Sequence, residues 1–272
     1  MRILIKKIVN SAISGISKTS AGLFAYQAVV DAAMKQEKKV IYKSCEMSFT
    51  VPNRLTHYRA DTFSTKEPET LDWIDSISLG ALLWDIGANV GIYSVYAAKA
   101  RGCKVIAFEP SVFNLELLAR NIYINKLQEQ ITIVPIALSD NLGTNTFRMS
   151  TTSWGGALST FGEDFDQDGE KFRDVFEYKT LGLSMEQAVL ILKIPLPEHI
   201  KIDVDGIEHF ILRGGEFVLK QVKSVLIEIN DSFIAQAQET EKYLTDAGLT
   251  LFKKCDCGSH NQFNQLWIRK NN

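Results

Sequence analysis

The chain has 272 residues, of which 46% are hydrophobic and 23% are charged, and its formal net charge is −2. This composition is that of an ordinary globular protein, long enough for one large domain or for a core domain with an extension. The nearly balanced charge excludes the basic footprint of a nucleic-acid-binding protein. The four cysteines are too few for a disulfide framework, so a cytoplasmic location in a reducing environment is expected.

Residues 1–78 are predicted to form an extension that precedes the main domain. Apolar residues recur at helical spacing through residues 5–16, which predicts an amphipathic helix. Polar residues interrupt the pattern and exclude a membrane-spanning helix. Three partners for this helix stay open: the main domain, a second subunit of a homo-oligomer, or an anionic membrane at the inner face of the cell. The cations that favour the membrane are Arg2, Lys6, Lys7 and Lys18, all before the first acidic residue, Asp31.

The remaining elements follow in chain order. The extension is predicted to continue with a helix at 24–34, a strand pair at 39–42 and 47–51, and a polar segment that ends near residue 77. In the main domain, residues 79–272, strands are predicted at 81–86, 104–108, 131–137, 199–204, 222–229, 248–254 and 262–269. Helices are predicted at 91–100, 112–125, 184–192, 207–219 and 232–247. This alternation predicts an α/β fold with a doubly wound, mostly parallel seven-stranded sheet that ends in an antiparallel hairpin.

A long polar segment separates the two halves of the predicted sheet. Residues 150–179 are rich in Gly and Asp and show no periodicity, and an added strand is expected just before them at 144–149. Segments of this length in compact domains are usually functional lids or partly disordered. Trp154 is therefore expected to present an aromatic face to a bound acceptor.

The segment 82–92 predicts a buried strand, a tight turn and the start of a helix. Gly87 and Gly91 let the turn pass close to a ligand, and the unpaired helix N–H groups favour a carboxylate or phosphate. Asp85 at the strand end can bind an amino group. Glu109 ends the next strand, where a carboxylate can accept both hydroxyls of a ribose. These groups together suit S-adenosylmethionine, which has an amino acid at one end and a nucleoside at the other.

Two alternatives to this cofactor fit the sequence less well. A dinucleotide would need glycine at positions where the chain has Asn89 and Ile92. A turn without any ligand would leave the acid at the end of the next strand unexplained. The predicted cofactor residues are Asp85, Gly87, Ala88, Asn89, Gly91, Phe108, Glu109, Pro110, Ala137, Ser139 and Asp203, with the adenine ring between Phe108, Pro110 and the backbone at 137–139.

Three acids at the end of the fourth core strand are candidates for catalysis. Asp203 and Asp205 follow this strand, and Glu208 falls on the first turn of the next helix. Neighbouring carboxylates raise one another's pKa, so one of them can act as a general base. The alternative is that Asp205 and Glu208 stabilise the helix N-terminus. His260 is a further candidate base, against the interpretation that it is a surface turn residue.

Two cysteines near the C-terminus are candidate metal ligands. Cys255 and Cys257 lie close to His260, but no second cysteine pair completes a four-ligand site. We therefore expect no metal ion there.

As an ordered series, these motifs resemble the FkbM family of S-adenosylmethionine-dependent methyltransferases. The resemblance covers about residues 80–230 and runs through Trp84-Asp-Ile-Gly-Ala-Asn-Val-Gly91, Ala107-Phe-Glu-Pro110, Leu118-Ala-Arg-Asn121 with Asn125, Ala137-Leu-Ser-Asp140 with Gly143, Lys201-Ile-Asp-Val-Asp-Gly206 and Leu212-Arg-Gly-Gly215. Residues 52–55 and 65–73 also look like a subgroup of the family. The family usually has Glu where this chain has Asp205, which keeps the charge and shortens its reach by a methylene.

The resemblance implies a Rossmann-like, class I methyltransferase fold and O-methylation of a hydroxyl, commonly in a saccharide or glycan precursor. Two alternatives stay open: a protein that binds S-adenosylmethionine without catalysis, and an amine methyltransferase. Amine methyltransferases often carry an Asn/Asp-Pro-Pro-Tyr motif after the fourth strand, where this chain reads Asp203-Val-Asp-Gly206.

Overall fold

A computed structural model describes residues 2–256 and 261–270 of the chain. The helices in these residues are α1 (Arg2–Ile16), α2 (Ser20–Met34), α3 (Arg54–Asp61), α4 (Pro68–Ser76), α5 (Ile92–Arg101), α6 (Val112–Ile124), α7 (Met185–Leu190), α8 (Glu208–Arg213), α9 (Glu216–Leu219) and α10 (Ile234–Asp246). The strands are β1 (Glu37–Tyr42), β2 (Cys45–Thr50), β3 (Leu82–Ile86), β4 (Lys104–Phe108), β5 (Ile131–Val134), β6 (Ala137–Leu138), β7 (Gly143–Met149), β8 (Ser159–Phe161), β9 (Phe176–Leu183), β10 (His199–Ile202), β11 (Ser224–Asn230), β12 (Leu249–Asp256) and β13 (Gln262–Arg269).

The main sheet has seven strands in the order β12-β13-β11-β10-β3-β4-β5. The five strands from β11 to β5 are parallel, whereas β13 runs antiparallel to both β11 and β12. The chain winds from β3 outward through β4 and β5, then returns to the other side of β3 as β10. This reversal opens a crevice at the carboxyl ends of β3 and β10, where such folds bind ligands. The predicted doubly wound sheet with an antiparallel terminal hairpin is confirmed.

The central strands form because their side chains are buried on both faces of the sheet. Leu83 of β3 packs in one hydrophobic cluster with residues of α5 and α6. Trp84 and Ile86 pack in a second cluster, on the opposite face, with residues of α8 and β11. Near-continuous apolar runs are typical of parallel strands covered by helices on both sides. Asp85 interrupts the run at the crevice end of β3.

The segment before residue 79 shares this core. Met47 and Phe49 of β2 are fully buried in the same cluster as Tyr96 of α5. Residues 52–77 were predicted only as a polar segment, but they contain two helices, α3 and α4. Asn53 begins α3 with a reciprocal hydrogen-bonded cap to Thr56. Both helices are short, so the apolar periodicity that identifies longer helices is weak in them.

The helices α1 and α2 confirm the two helical predictions for residues 1–34, although α2 begins four residues earlier than expected, at Ser20. Thr19 caps α2, because its side-chain oxygen accepts a hydrogen bond from the N–H of Gly22 at 3.0 Å. In the part of the chain that the structure describes, no helix combines the length and apolar character needed to cross a bilayer.

A second, four-stranded sheet has the order β6-β9-β7-β8. The expectation of a lid without regular structure at 150–179 was therefore wrong in part, because β8 and the start of β9 lie in it. The strand predicted at 131–137 is likewise divided: β5 ends at residue 134, and β6 joins the second sheet. Gly182 of β9 is required by packing, since a Cβ there would collide with the ring of Phe161.

Candidate functional site

The turn after β3 forms the floor of the crevice. The N–H groups of Gly87 and Ala88 donate to the carbonyl oxygen of Phe108, each at 3.0 Å. Gly87 has a φ of 82°, and a Cβ on it would collide with the backbone of Asp203. Only glycine allows this close approach of two strand ends. Gly91 also has a positive φ, and its missing Cβ makes room for Leu118 of α6, so helix packing requires this glycine, and its approach to a ligand stays a prediction.

A cavity with about 530 Å³ of empty space lies between this turn and the second sheet. Its lining includes seven of the predicted cofactor residues: Gly87, Asn89, Phe108, Glu109, Pro110, Ala137 and Asp203. Phe147 and Phe161 of the second sheet add apolar surface, which suits the faces of a purine ring. Ser139 does not line the cavity, and its N–H donates to the carbonyl oxygen of Leu183 at 3.0 Å.

Glu109 lies in the wall of this cavity and is 5% exposed. Its carboxylate oxygens accept the N–H groups of Asn89 at 2.7 Å and Ser111 at 2.8 Å. Burial raises the pKa of Glu109 to about 7, although these hydrogen bonds oppose the shift. Because a carboxylate oxygen can accept more than one hydrogen bond, Glu109 can also accept from a ligand.

A second cavity adjoins the first, and Gly87, Asn89 and Asp203 line both. Asp85 and Ala88 lie in its lining. Asp85 is 2% exposed, and its Oδ2 accepts a hydrogen bond from Ser94 Oγ at 2.5 Å.

The other carboxylate oxygen of Asp85 has the property expected of a ligand-binding atom. Among the described residues, Oδ1 of Asp85 has no hydrogen-bond donor. Burial raises the pKa of Asp85, and the nearby cation of Lys201 opposes the shift. A buried carboxylate oxygen without a partner suits a charged donor such as an ammonium group.

Lys201 of β10 is buried and forms an ion pair with the half-buried Asp203 beside this cavity. Lys201 Nζ lies 2.9 Å from Asp203 Oδ2 and 5.2 Å from the ring centroid of Tyr93. Burial alone would lower the pKa of Lys201, but Asp203, Asp85 and Glu67 raise it. Burial alone would raise the pKa of Asp203, but Lys201 and Lys66 lower it. Asp203 is therefore ionised at neutral pH.

A third and larger cavity, with about 1020 Å³ of empty space, opens on the other side of Asp203 and Asp205. We call it the outer cavity. Its lining combines α3 and the segment after it with the 157–167 region and the ends of β11 and β13: Leu55, Tyr58, Arg59, Lys66, Glu67, Ala157, Leu158, Gln167, Glu228 and Gln262. Burial and the charge of Asp203 raise the pKa of Glu228 to about 9.

None of these residues of the outer cavity was predicted from the sequence to belong to the site. Arg59, Lys66 and Glu228 follow no motif with a fixed spacing. The family resemblance at residues 52–55 and 65–73 was the available signal, since Lys66 lies within the second segment and Arg59, in α3, follows the first closely.

Asp205 connects the end of β10 to residues 150–161, the part of the predicted lid that we call the lid from here on. Its Oδ2 accepts the N–H groups of Leu158 at 2.8 Å and Ser159 at 3.3 Å. Burial, and then Asp203, raise the pKa of Asp205 to about 6. The backbone of Asp205 is left-handed, with a φ of 62°, a conformation that Asp adopts more readily than longer side chains.

Four side chains hold the 154–156 backbone of the lid over the turn after β3. Trp154 itself packs against Met34, Val90 and Leu117 and does not line the three cavities, which corrects its predicted position over the acceptor. The bonds to the lid run from Asn53 Nδ2 to Trp154 O at 2.9 Å, Arg59 Nε to Gly155 O at 2.8 Å, Asn89 Nδ2 to Gly156 O at 2.7 Å, and Gly155 N to Asn114 Oδ1 at 3.0 Å.

The two remaining candidate bases lie elsewhere. Glu208 is buried, lines none of the three cavities, and accepts the N–H groups of Val204 at 3.1 Å and Gly206 at 3.0 Å. Burial raises the pKa of Glu208 to about 7. These contacts favour the interpretation that Glu208 stabilises the turn before α8. His260 lies outside the described residues. Within residues 2–256 and 261–270, no cluster of His, Cys, Asp and Glu is arranged to hold a metal ion.

Several known proteins are similar to this chain. It is 28% identical over 174 residues to the hexuronic acid methyltransferase AglP of Haloferax volcanii, a match that covers 62% of this chain and 63% of that protein. The chain thus spans less than two thirds of the length of this relative. Among solved structures, methyltransferase FkbM from Methylobacillus flagellatus matches with a TM-score of 0.48 and 12% identity, over 91% of this chain and 60% of that one. M. jannaschii TYW2 in complex with AdoMet matches with a TM-score of 0.45 and 12% identity, over 86% and 87%.

The family model described as the methyltransferase FkbM domain matches residues 85–258, which is more than half of the chain. The matched region begins at Asp85 and includes the turn after β3, Glu109, and the acids after β10. The resemblance inferred from the sequence motifs is thereby confirmed, and the chain belongs to the FkbM methyltransferase family.

Proposed function

We propose that the protein is an S-adenosylmethionine-dependent O-methyltransferase that acts on a hydroxyl group of an acidic saccharide or glycan precursor. One observation carries the proposal: two buried carboxylates, Asp85 and Glu109, lie in adjoining cavities that share Gly87. Two carboxylates in adjoining cavities suit a ligand with an ammonium group at one end and a ribose at the other. In this proposal, residues 79–272 form the methyltransferase domain, and residues 1–78 are an extension that completes the outer cavity.

The residues present suit this cofactor. Asp85 Oδ1 would accept the ammonium group, Glu109 would accept the ribose hydroxyls, and Phe108 and Phe161 would contact the adenine ring. When bound, the cofactor supplies a methyl group that its sulfonium already activates.

The outer cavity is the proposed acceptor site, because it meets the cofactor cavities at Gly87, Asn89, and Asp203. The cation Arg59 in its lining suits a carboxylate on the acceptor, whereas Lys66 already pairs with Glu67 at 2.6 Å. The similarity to a hexuronic acid methyltransferase also supports an acceptor that is an acidic sugar.

The chain's own contribution to the reaction is to orient the hydroxyl group and to accept its proton. Orientation can supply an effective molarity on the order of 10⁵–10⁸ M. We assign the proton to Asp205, because its pKa of about 6 lies closer to neutral pH than that of Asp203, which Lys201 lowers. Asp203 is then a positioning residue that holds Lys201 beside Asp85. Glu228 keeps its proton at neutral pH and can donate a hydrogen bond to the acceptor.

The test is transfer of labelled methyl from S-adenosylmethionine to a panel of glucuronides, neutral glycosides and amino sugars. The proposal predicts a labelled glucuronide whose methyl group survives mild alkali, as an ether does. An alkali-labile product would move the transfer to the carboxylate as a methyl ester. Label on an amino group would support an amine methyltransferase, and cofactor binding without transfer to any panel member would support a protein without catalysis.

A further inference from the structure

The helices α1 and α2 form a hairpin with an apolar surface that no other described part of the chain covers. Ile8 of α1 is 61% exposed and Phe24 of α2 is 76% exposed. Large apolar side chains are exposed along both helices: Leu4, Ile5, Ile8, Val9, Ile13 and Ile16 in α1, and Leu23, Phe24, Tyr26, Val29 and Val30 in α2. An apolar surface of this extent indicates a binding face.

The helix α2 is apolar on nearly every side. Its polar residues, Ser20, Gln27 and Asp31, fall on one narrow strip, because they are spaced seven and four residues apart. Yet only Gly22 and Met34 of this helix are buried. Helices that are apolar all round are normally enclosed by protein or by lipid.

The helix α1 is amphipathic and separates its apolar face from a basic polar face. Leu4, Ile8 and their neighbours at helical spacing form the apolar face, whereas Lys7 lies with Asn10 and Ser14 on the other side. In the sequence, residues 1–30 contain four basic residues and no acidic residue. Two copies of this chain that met through the hairpin would bring these positive charges together, whereas an anionic lipid surface would attract them.

We propose that the α1–α2 hairpin docks on an anionic lipid bilayer, with its apolar side chains at the boundary between headgroups and acyl chains. The base of the hairpin lies next to the cofactor site, since Met34 packs with Val90 of the turn after β3 and with Trp154 of the lid. Docking therefore holds the methyltransferase site beside the membrane surface. This proposal goes beyond the assigned chemistry and does not depend on the acceptor.

Co-sedimentation of the full chain with lipid vesicles tests the proposal. We expect binding to vesicles of phosphatidylglycerol and phosphatidylcholine at low salt, and much weaker binding to pure phosphatidylcholine or at high salt. The double variant Ile8→Asp/Phe24→Asp should lower the partition coefficient at least ten-fold. Lys7→Glu should lower it about five-fold or more, the change that corresponds to about 1 kcal/mol per lysine near such a surface.

The matched control is Leu79→Asp, which places the same charge at another exposed apolar residue, 74% exposed and outside the hairpin. It should bind vesicles like the unaltered chain, and thermal unfolding should show that all variants are folded. Absence of binding to anionic vesicles, or equal binding by the double variant, would overturn the proposal. Self-association that the double variant abolishes, without vesicle binding, would assign the hairpin to a second copy of the chain.

Discussion

The carboxylates at the crevice differ in their partners, and these partners separate their roles. Asp85 keeps one oxygen without a donor among the described residues, Glu109 accepts two backbone N–H groups, and Asp205 accepts two from the lid. Glu208 accepts N–H groups from the turn that precedes its own helix. In the proposed function, Asp85 binds the ammonium group of the cofactor, and Glu109 binds its ribose. Asp205 contacts the lid and accepts the proton, whereas Glu208 stabilises the turn before α8.

The substitution Asp205→Asn tests the assigned base. Asn tolerates the left-handed backbone and can still accept the lid N–H groups, so the change removes little except the charge and the basicity. We expect kcat to fall roughly 10²–10⁴-fold at pH 8, with the Kd of S-adenosylhomocysteine changed only a few-fold. In the unaltered enzyme, kcat should fall as the pH drops below about 6, where Asp205 becomes protonated.

Asp203→Asn is the matched comparison. It leaves Lys201 without its ion-pair partner beside Asp85, so cofactor affinity should fall in this variant. Full kcat in Asp205→Asn, together with a loss of kcat and unchanged cofactor affinity in Asp203→Asn, would exchange the two assignments.

At the scale of elements, α3 links the extension to the lid and to the outer cavity. Arg59 donates a hydrogen bond from Nε to the lid at Gly155, and it also lines the outer cavity. Asn53, which caps α3, donates to the neighbouring carbonyl of Trp154. A single short helix therefore positions both the lid and a cation of the proposed acceptor site.

Substitutions of Arg59 separate its contact with the lid from its charge in the proposed acceptor site. Arg59→Ala should raise the KM for an acidic saccharide at least ten-fold, in line with roughly 1.5–3 kcal/mol for a hydrogen bond to a charged group. Arg59→Lys keeps the charge but loses the planar donor to Gly155. Its KM should therefore lie between that of the unaltered enzyme and that of Arg59→Ala. Arg54→Ala, at the exposed start of the same helix, should match the unaltered enzyme in steady-state kinetics. Equal KM values for Arg59→Ala and Arg54→Ala would remove Arg59 from the acceptor site.

For the whole molecule, the main sheet and the crevice at its strand ends could be predicted from the sequence, whereas the outer cavity could not. Strands such as β3 are apolar on both faces, and their turns carry glycines at positions that only glycine can occupy. The outer cavity depends on where α3 and the lid pack, which no local pattern encodes. Trp154 shows this directly, because an aromatic residue in a polar segment looked available for a ligand but packs on Val90 and Leu117.

Buried acids also shape the stability of the whole molecule. Burial raises the pKa of Glu208 from its ordinary value of 4.5 to about 7. Between these two values the folded chain binds more protons at Glu208 than the unfolded chain, so the free energy of unfolding falls as the pH rises through this window.

Glu208→Gln should remove this dependence. Denaturant unfolding at pH 5 and at pH 8 should show that the unaltered chain loses stability relative to the variant as the pH rises, by at most about 3 kcal/mol. The comparison uses the change with pH rather than the absolute stability, because the amide also alters the hydrogen bonds of the turn. Parallel stability curves for the two proteins would show that Glu208 is ionised in the fold throughout this range.

The most direct test of the account is calorimetric titration of the chain with S-adenosylhomocysteine and with NAD. The account predicts that S-adenosylhomocysteine binds at one site per chain and that NAD does not bind, because Asn89 and Ile92 stand where a pyrophosphate needs glycine. Glu109→Ala should weaken this binding by roughly 1.5–3 kcal/mol. Binding of NAD in place of S-adenosylhomocysteine, or unchanged affinity in Glu109→Ala, would contradict the assignment of the crevice.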